Sequence, residues 1–189
     1  MHDSLNFKMI GRVQIQDLET GILVREEFNE IHPQNMALII ARALARDDNG
    51  AIYSMSFGNG GTFTNSSGTI VYRPPNTIGA SELYNPTYSV LVDEQAVGTP
   101  VTNSVTSAAS PSPAITSVVT VIAQLNANEP AGQAIDDAST VDSEAPYIFD
   151  EIGLKSQDGL LLTHMVFSPF EKAGNRAFLF TYTLTISVS

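Results

Sequence analysis

The sequence predicts a mainly β protein, an antiparallel β-sandwich with one α-helix over about residues 33–46 and a long loop or arm insertion over residues 58–113. Three observations lead there. Apolar and polar residues alternate with period two in several separate stretches, most cleanly where Phe178, Phe180, Tyr182, Leu184 and Ile186 alternate with Thr181, Thr183 and Thr185. Only one stretch, from Pro33 to Arg46, spaces its apolar residues as a helix does. A chain of 189 residues with 43% hydrophobic content can close one core as a single domain. With one helix available, the layer covering an apolar strand face must be mostly a second sheet.

The N-terminal third supports this element by element. Met9, Gly11, Val13 and Ile15 alternate with polar neighbours as a first strand, Asp17-Leu18-Glu19-Thr20-Gly21 reads as a turn, and Ile22 to Phe28 returns, giving a hairpin over residues 8–31. Asp17 and Glu19 supply too few oxygen ligands for a calcium loop. Pro33 suits the first helical position, since its missing N–H would be unpaired there in any case. Asn35, Arg42 and Arg46 form a narrow polar stripe, whereas Met36, Leu38, Ile39, Ile40, Ala43 and Leu44 cover most of the circumference. The helix is therefore expected to be buried on several sides, and to stop at Asp47-Asp48-Asn49-Gly50 through a left-handed Asn or Gly. Ile52 to Phe57 reads as a strand with one apolar face, across which the helix is expected to pack.

Residues 58–113 are dense in turn formers, with short strands expected at Thr69–Tyr72 and Tyr88–Val92 and the most linker-like composition at Val97–Pro113. Tyr72, Ile78, Leu83, Tyr84, Tyr88 and Leu91 argue against disorder in the first half and point to an arm that packs on neighbouring subunits. Tyr72, Arg73, Tyr84 and Tyr88 are the candidate interaction residues. Exposed tyrosines also suit stacking on sugar rings, so a glycan- or receptor-binding module is the alternative. Ile115 to Leu125 is a long strand, followed by an acidic loop with Glu129, Asp136, Asp137, Asp142 and Glu144, whose irregular spacing reads as a solvated loop rather than a cation site. Tyr147 to Leu154, a Ser156-Gln157-Asp158-Gly159 turn and Leu160 to Phe167 make a second hairpin.

The chemistry of the sequence nominates no catalytic, metal-binding or cofactor-binding residue, and a non-enzymatic protein is expected. There is no cysteine for thiol chemistry, no G-x-S-x-G nucleophile turn, and Gly58-Asn59-Gly60-Gly61 lacks the Lys-Ser/Thr of a phosphate loop and reads as a strand exit. His164, between Thr163 and Met165, reads as a packed or hydrogen-bonded side chain rather than a base. Nine basic against 20 acidic residues give a net charge of −11, which repels nucleic-acid backbones and anionic membranes, so neither is expected as a direct partner. The apolar runs are too short to span a bilayer, and Met1-His2-Asp3-Ser4 shows no secretory signal.

Three stretches together resemble virion structural proteins of tailed bacteriophages: the hairpin GRVQIQDLETGILVREEFNEIH, the helix with MSFGNGG, and the ending HMVFSPFEKAGNRAFLFTYTLTISV. The resemblance rests on a D-x-x-T-G turn at Asp17, Thr20 and Gly21, an Asn at 29, an F-x-P-x-x-K loop at Phe167, Pro169 and Lys172, and the strand from Phe178 to Ile186. It implies a subunit in a symmetric ring or array at the neck, collar or tail, with capsid decoration as the alternative. It also implies copies of itself and other virion proteins as partners, and a location in the virion and, during assembly, the host cytoplasm. Thr62 to Pro146 has no counterpart in the resemblance.

Overall fold

The computed structural model describes residues 6–79, 82–92, 103–109, 116–130, 133–134, 141–142 and 147–188. In chain order the elements are β1 (Phe7–Asp17), β2 (Leu23–Ile31), α1 (Pro33–Ala45), β3 (Ile52–Gly58), β4 (Thr62–Thr64), β5 (Ile70–Tyr72), β6 (Pro86–Leu91), β7 (Ser104–Ala109), β8 (Thr116–Leu125), β9 (Gln133–Ala134), β10 (Val141–Asp142), β11 (Tyr147–Ser156), β12 (Thr163–Lys172) and β13 (Phe178–Val188). A short 3₁₀ turn at Asp48–Gly50 follows the helix.

Nine strands run antiparallel in the order β6-β3-β11-β12-β2-β1-β13-β8-β7. At the centre of that order the connection is thin: β12 and β2 share only the pairs Thr163↔Ile31 and His164↔Glu30. The sheet curls there into two layers, β6-β3-β11-β12 and β2-β1-β13-β8-β7, whose apolar faces meet. Phe57 of β3 stands edge-on to Phe180 of β13 at 4.8 Å, and Phe170 of β12 stands edge-on to Phe178 at 4.8 Å. Val13, Ile15, Val121, Leu125, Phe149, Leu154 and Phe167 fill the space between the layers. The result is the β-sandwich that the alternating strands require.

The first hairpin and its turn form as the sequence predicts. Asp17 is wholly buried, and its Oδ1 accepts the amides of Glu19 at 2.9 Å and Thr20 at 3.0 Å. Its other oxygen pairs with Arg176 in the turn before β13, so one carboxylate ties two turns at the same end of the sheet. Gly21 takes the positive φ of 68° that closes the hairpin.

The helix differs from expectation. Its buried residues are Asn35, Met36 and Ile39 alone, while Leu38 is exposed and Leu44 is 83% exposed. Met36, Ile39, Ile40 and Ala43 line a small cavity together with Met9, Ile52, Val119, Leu184 and Ile186, residues from the same end of four strands. The helix thus plugs one end of the sandwich instead of lying across a sheet, and a plug needs only one apolar face. Asn35 does not belong to an exposed stripe; its Nδ2 donates to Leu161 O at 2.8 Å. Arg42 does face outward and holds Asp158 of the β11–β12 turn at 2.7 Å. The left-handed residue at the helix end is Arg46, with φ 59°, not Asn49 or Gly50. Gly50 serves close approach instead, since a Cβ there would lie 2.3 Å from the Ala43 amide nitrogen.

Other boundaries also shift. The linker-like 97–113 stretch contains β7, which pairs with β8 over six residue pairs from Ser104↔Ile122 to Ala109↔Ser117. The predicted 160–167 strand runs on to Lys172, and the loop around Pro169 is a bulge: Phe149 pairs with Phe170 and Glu151 with Val166, leaving Phe167-Ser168-Pro169 opposite Asp150 alone. A proline cannot donate to the ladder and is tolerated at such a bulge. Asp136, Asp137 and Glu144 of the acidic loop lie outside the described residues. No helix among the described residues is long and apolar enough to cross a membrane.

The placement of the helix has a direct test. Ile39→Ala is expected to lower stability by about 2–5 kcal/mol, whereas Leu44→Ala stays within about 0.5 kcal/mol, both read from urea unfolding midpoints. Equal losses would mean that the helix is enclosed on both faces.

Candidate functional site

The distinctive chemistry of this chain lies on the outer side of the β6-β3-β11-β12 layer, beneath residues 59–85. Two consecutive acids, Asp150 and Glu151, interrupt the apolar run of β11, and both are buried. Inward-facing Phe57 and Ile152 form one register pair on the core side, so the adjacent pair Gly58 and Glu151 faces out. The segment leaving β3 folds back over this outer face and covers it.

Glu151 is the hub. Its Oε1 accepts the amides of Asn85 at 2.8 Å and Gly60 at 3.1 Å; its Oε2 accepts the amide of Tyr84 at 2.8 Å and faces His164 Nε2 at 3.0 Å. Asp150 holds the same segment one residue away, with Oδ1 accepting from Gly61 at 2.8 Å and Oδ2 accepting the Thr62 amide at 2.8 Å and its hydroxyl at 2.5 Å. Burial pushes the Glu151 carboxyl up, but the hydrogen bonds from His164 and the Asn85, Tyr84 and Gly60 amides outweigh it and leave the group below its ordinary range. Gly58 and Gly61 are needed for this approach: a Cβ at Gly58 would lie 2.5 Å from Glu151 Oε1, and one at Gly61 2.8 Å from Asp150 O.

Two buried histidines hold the far part of the segment. His164 Nδ1 accepts the Asn76 amide at 2.7 Å, so its proton sits on Nε2 and is donated to Glu151. His32 repeats the arrangement: Nδ1 caps the helix by accepting the Asn35 amide at 3.2 Å, and Nε2 donates to Gly79 O at 3.0 Å. Both rings thereby use both of their nitrogens. Asn76 Nδ2 reaches Glu82 O at 2.9 Å, and Glu82 pairs with Lys155 of β11. The carboxylates of Asp150 and Glu151 are directed at the protein's own amides and at the Thr62 hydroxyl and His164 imidazole. Among the described residues no three His, Asp or Glu side chains converge as a metal-ligand set.

Of the four candidate interaction residues, the structure brings Arg73 and Tyr84 together and leaves Tyr72 and Tyr88 apart from that pair. Arg73 is exposed and lies over the rings of Phe63 at 5.6 Å and Tyr84 at 5.0 Å. Tyr84 donates to Pro74 O at 2.7 Å and sets its ring 5.7 Å from His164, so it belongs to the latch. Tyr88 sits in β6 with its ring toward Phe57 and Tyr147, a half-buried part of the core. Tyr72, at the end of β5, is the one tyrosine of the set that is exposed. The sequence reading of His164 as hydrogen-bonded agrees with the geometry, but its partner Glu151 was missed because no short spacing links the two. The usable signal was two adjacent acids inside the apolar stretch YIFDEIGL, a pattern that demands buried partners.

Comparison with protein-family models, with curated proteins and with solved structures finds no match for this chain.

Two outcomes test the latch. Glu151→Ala leaves three amides and an imidazole without their acceptor and is expected to lower stability by about 3–5 kcal/mol in urea unfolding. Because the folded Glu151 titrates below its ordinary value of 4.5, the unfolded chain binds more protons in acid. The stabilisation is full above that value and is lost as pH falls through the folded one. Wild type should therefore lose urea resistance below about pH 4.5 more steeply than Glu151→Gln. Identical pH slopes would show that Glu151 does not carry this acid sensitivity.

Proposed function

We propose that this chain is a non-catalytic structural subunit of a tailed-phage virion, which assembles with copies of itself and with other virion proteins into a ring or array at the neck, collar or tail. The observation that carries this reading is a latched segment with an uncovered apolar outside. Residues 59–79 and 82–85 are held by two carboxylates and two histidines, yet Phe63, Ile70, Tyr72 and Ile78 point to solvent, the last at 87% exposure. Covering such side chains with a neighbour is favourable in proportion to the apolar area removed from water. A segment already fixed in place loses little further entropy when it is covered.

A second uncovered set supports an assembly of more than two copies. Ile10, Val24 and 72% exposed Phe28 lie on the side of the β1–β2 hairpin away from the core, with Ile22 and Leu23 exposed beside its turn. The two sets belong to different layers of the sandwich. Seating one set against the other set of a neighbour is a head-to-tail contact, which generates closed rings or open arrays. The tailed-phage assignment itself rests on the resemblance of the two terminal regions. The acids and histidines spent on the latch favour a structural over a catalytic role.

The test is the native mass of the purified chain by light scattering over a range of concentrations, with circular dichroism as the folding control. A discrete closed oligomer is expected for wild type, and Phe28→Glu and Tyr72→Glu are each expected to reduce its mass while remaining folded. A wild-type chain that stays monomeric throughout would overturn self-assembly through these surfaces and move the reading to a decoration or receptor-binding subunit.

A further inference from the structure

The larger layer changes character across its width. β1 and β2 carry Lys8, Arg12, Arg25, Glu26, Glu27 and Glu30, whereas β13, β8 and β7 contain no charged residue on either face. In sequence every position from 95 to 128 is uncharged, within a chain of net charge −11. Register aligns this neutral sector into rows: Thr183 pairs with Thr120 and Thr120 with Thr106, and Thr185 pairs with Val118 and Val118 with Ala108. β7 is the outermost strand of the layer, and among the described residues it pairs with β8 alone.

The two outer strands of the nine-stranded order are treated differently. β6 begins at Pro86, has a register shift against β3 at Phe57/Gly58, and is followed in sequence by Asp93 and Glu94. Proline, a bulge and nearby charge are the devices that keep an edge strand from pairing with another chain. β7 has none of them within its own length, although Pro111 and Pro113 follow it in sequence: its six pairs with β8 are unbroken, its residues are Ser, Val, Thr and Ala, and Ser107, Ala108 and Ala109 are exposed. Copies with a net charge of −11 repel one another wherever acidic surface meets acidic surface, so a neutral edge is where two of them approach at least cost.

We infer that the β7 edge is where a second copy of this chain adds, antiparallel and about a two-fold axis, continuing the larger layer from one copy into the next. This rests on the self-assembly reading above and supplies a contact distinct from the two apolar sets. A two-fold perpendicular to the sheet keeps the core-facing sides of both copies on the same side, which requires paired positions of equal parity. Centring the axis on the exposed half of β7 places Ser107 opposite Ser107 of the second copy, Thr106 opposite Ala108, and Val105 opposite Ala109. All are small or β-branched residues that suit close cross-strand pairing.

Self-pairing of one position gives a direct test, because the chain has no cysteine and an introduced thiol has no internal partner. Ser107→Cys is expected to form a covalent dimer under mild oxidation, doubling the mass in denaturing electrophoresis. Ser67→Cys, on the exposed β4–β5 turn, should stay single at the same protein concentration. Ser107→Pro, which places a proline in the edge strand, is expected to lower the native mass of the wild-type assembly. If wild type is oligomeric but Ser107→Cys does not cross-link beyond Ser67→Cys, the edge contact is overturned while self-assembly stands. If wild type is a monomer and Ser107→Cys also stays single, both fall. Dimerisation of Ser107→Cys together with a halved native mass when its partner edge is blocked would establish the contact even should Phe28→Glu and Tyr72→Glu leave the assembly unchanged.

Discussion

The carboxylate of Glu151 is the interaction on which the arrangement of this molecule depends. A buried charge is stable only when its acceptor positions are filled, and Glu151 fills them with three backbone amides and an imidazole drawn from separate parts of the chain. Those partners are the strand exit at Gly60, the Tyr84-Asn85 segment ahead of β6, and His164 of β12. Satisfying one side chain therefore brings Gly60, Tyr84 and Asn85 back onto the sheet. Asp150, His164 and His32 extend the same logic along the segment, each taking or giving a main-chain hydrogen bond. An apolar core cannot do this work, because it holds faces together without choosing where a loop's polar backbone goes.

The two layers themselves are held by ordinary burial, with Phe57, Phe149, Phe178, Phe180 and Tyr182 wholly enclosed between them. The thin β12–β2 junction lets one curled sheet supply both layers, and it sits where His164 and Thr163 pair with Glu30 and Ile31. The helix follows directly from that corner. His32 caps it, its Met36 and Ile39 seal the open end of the core, and Arg42 reaches the β11–β12 turn. Polar buried contacts thus set the geometry at the corner, while the apolar core contributes most of the cohesion.

The outside of the sandwich is divided in a way that bears on assembly. One layer is covered by its own latched segment, which exposes new apolar side chains in place of the strand face. The other layer runs from a charged hairpin to a neutral sector ending at β7 and has no such covering segment among the described residues. The two outer surfaces of the sandwich are therefore not equivalent.

Much of the fold was legible in the residues. Period-two runs at β1, β3, β8 and β13, the Asp17 to Gly21 turn and Pro33 at the helix start are local signals, because each depends on side-chain alternation or on the φ preferences of a few neighbouring residues. What the linear pattern could not show was which faces would be covered. The helix reads as buried on several sides because Leu38 and Leu44 are apolar, and that reading reverses in the tertiary structure, whereas β3 has the apolar face that its alternation predicts and buries its polar face as well. Ser54 and Ser56 are buried on the outer side of their strand, and Leu44 is exposed. The pairing of Glu151 with His164 was equally invisible, since it requires two strands, a bulge and a returning loop to converge. By itself the sequence determined the class of fold, through short-range periodicity and turn chemistry. Only the tertiary structure decided that the acidic pair would latch a loop, because desolvation and hydrogen-bond satisfaction are properties of the assembled environment and not of neighbouring letters.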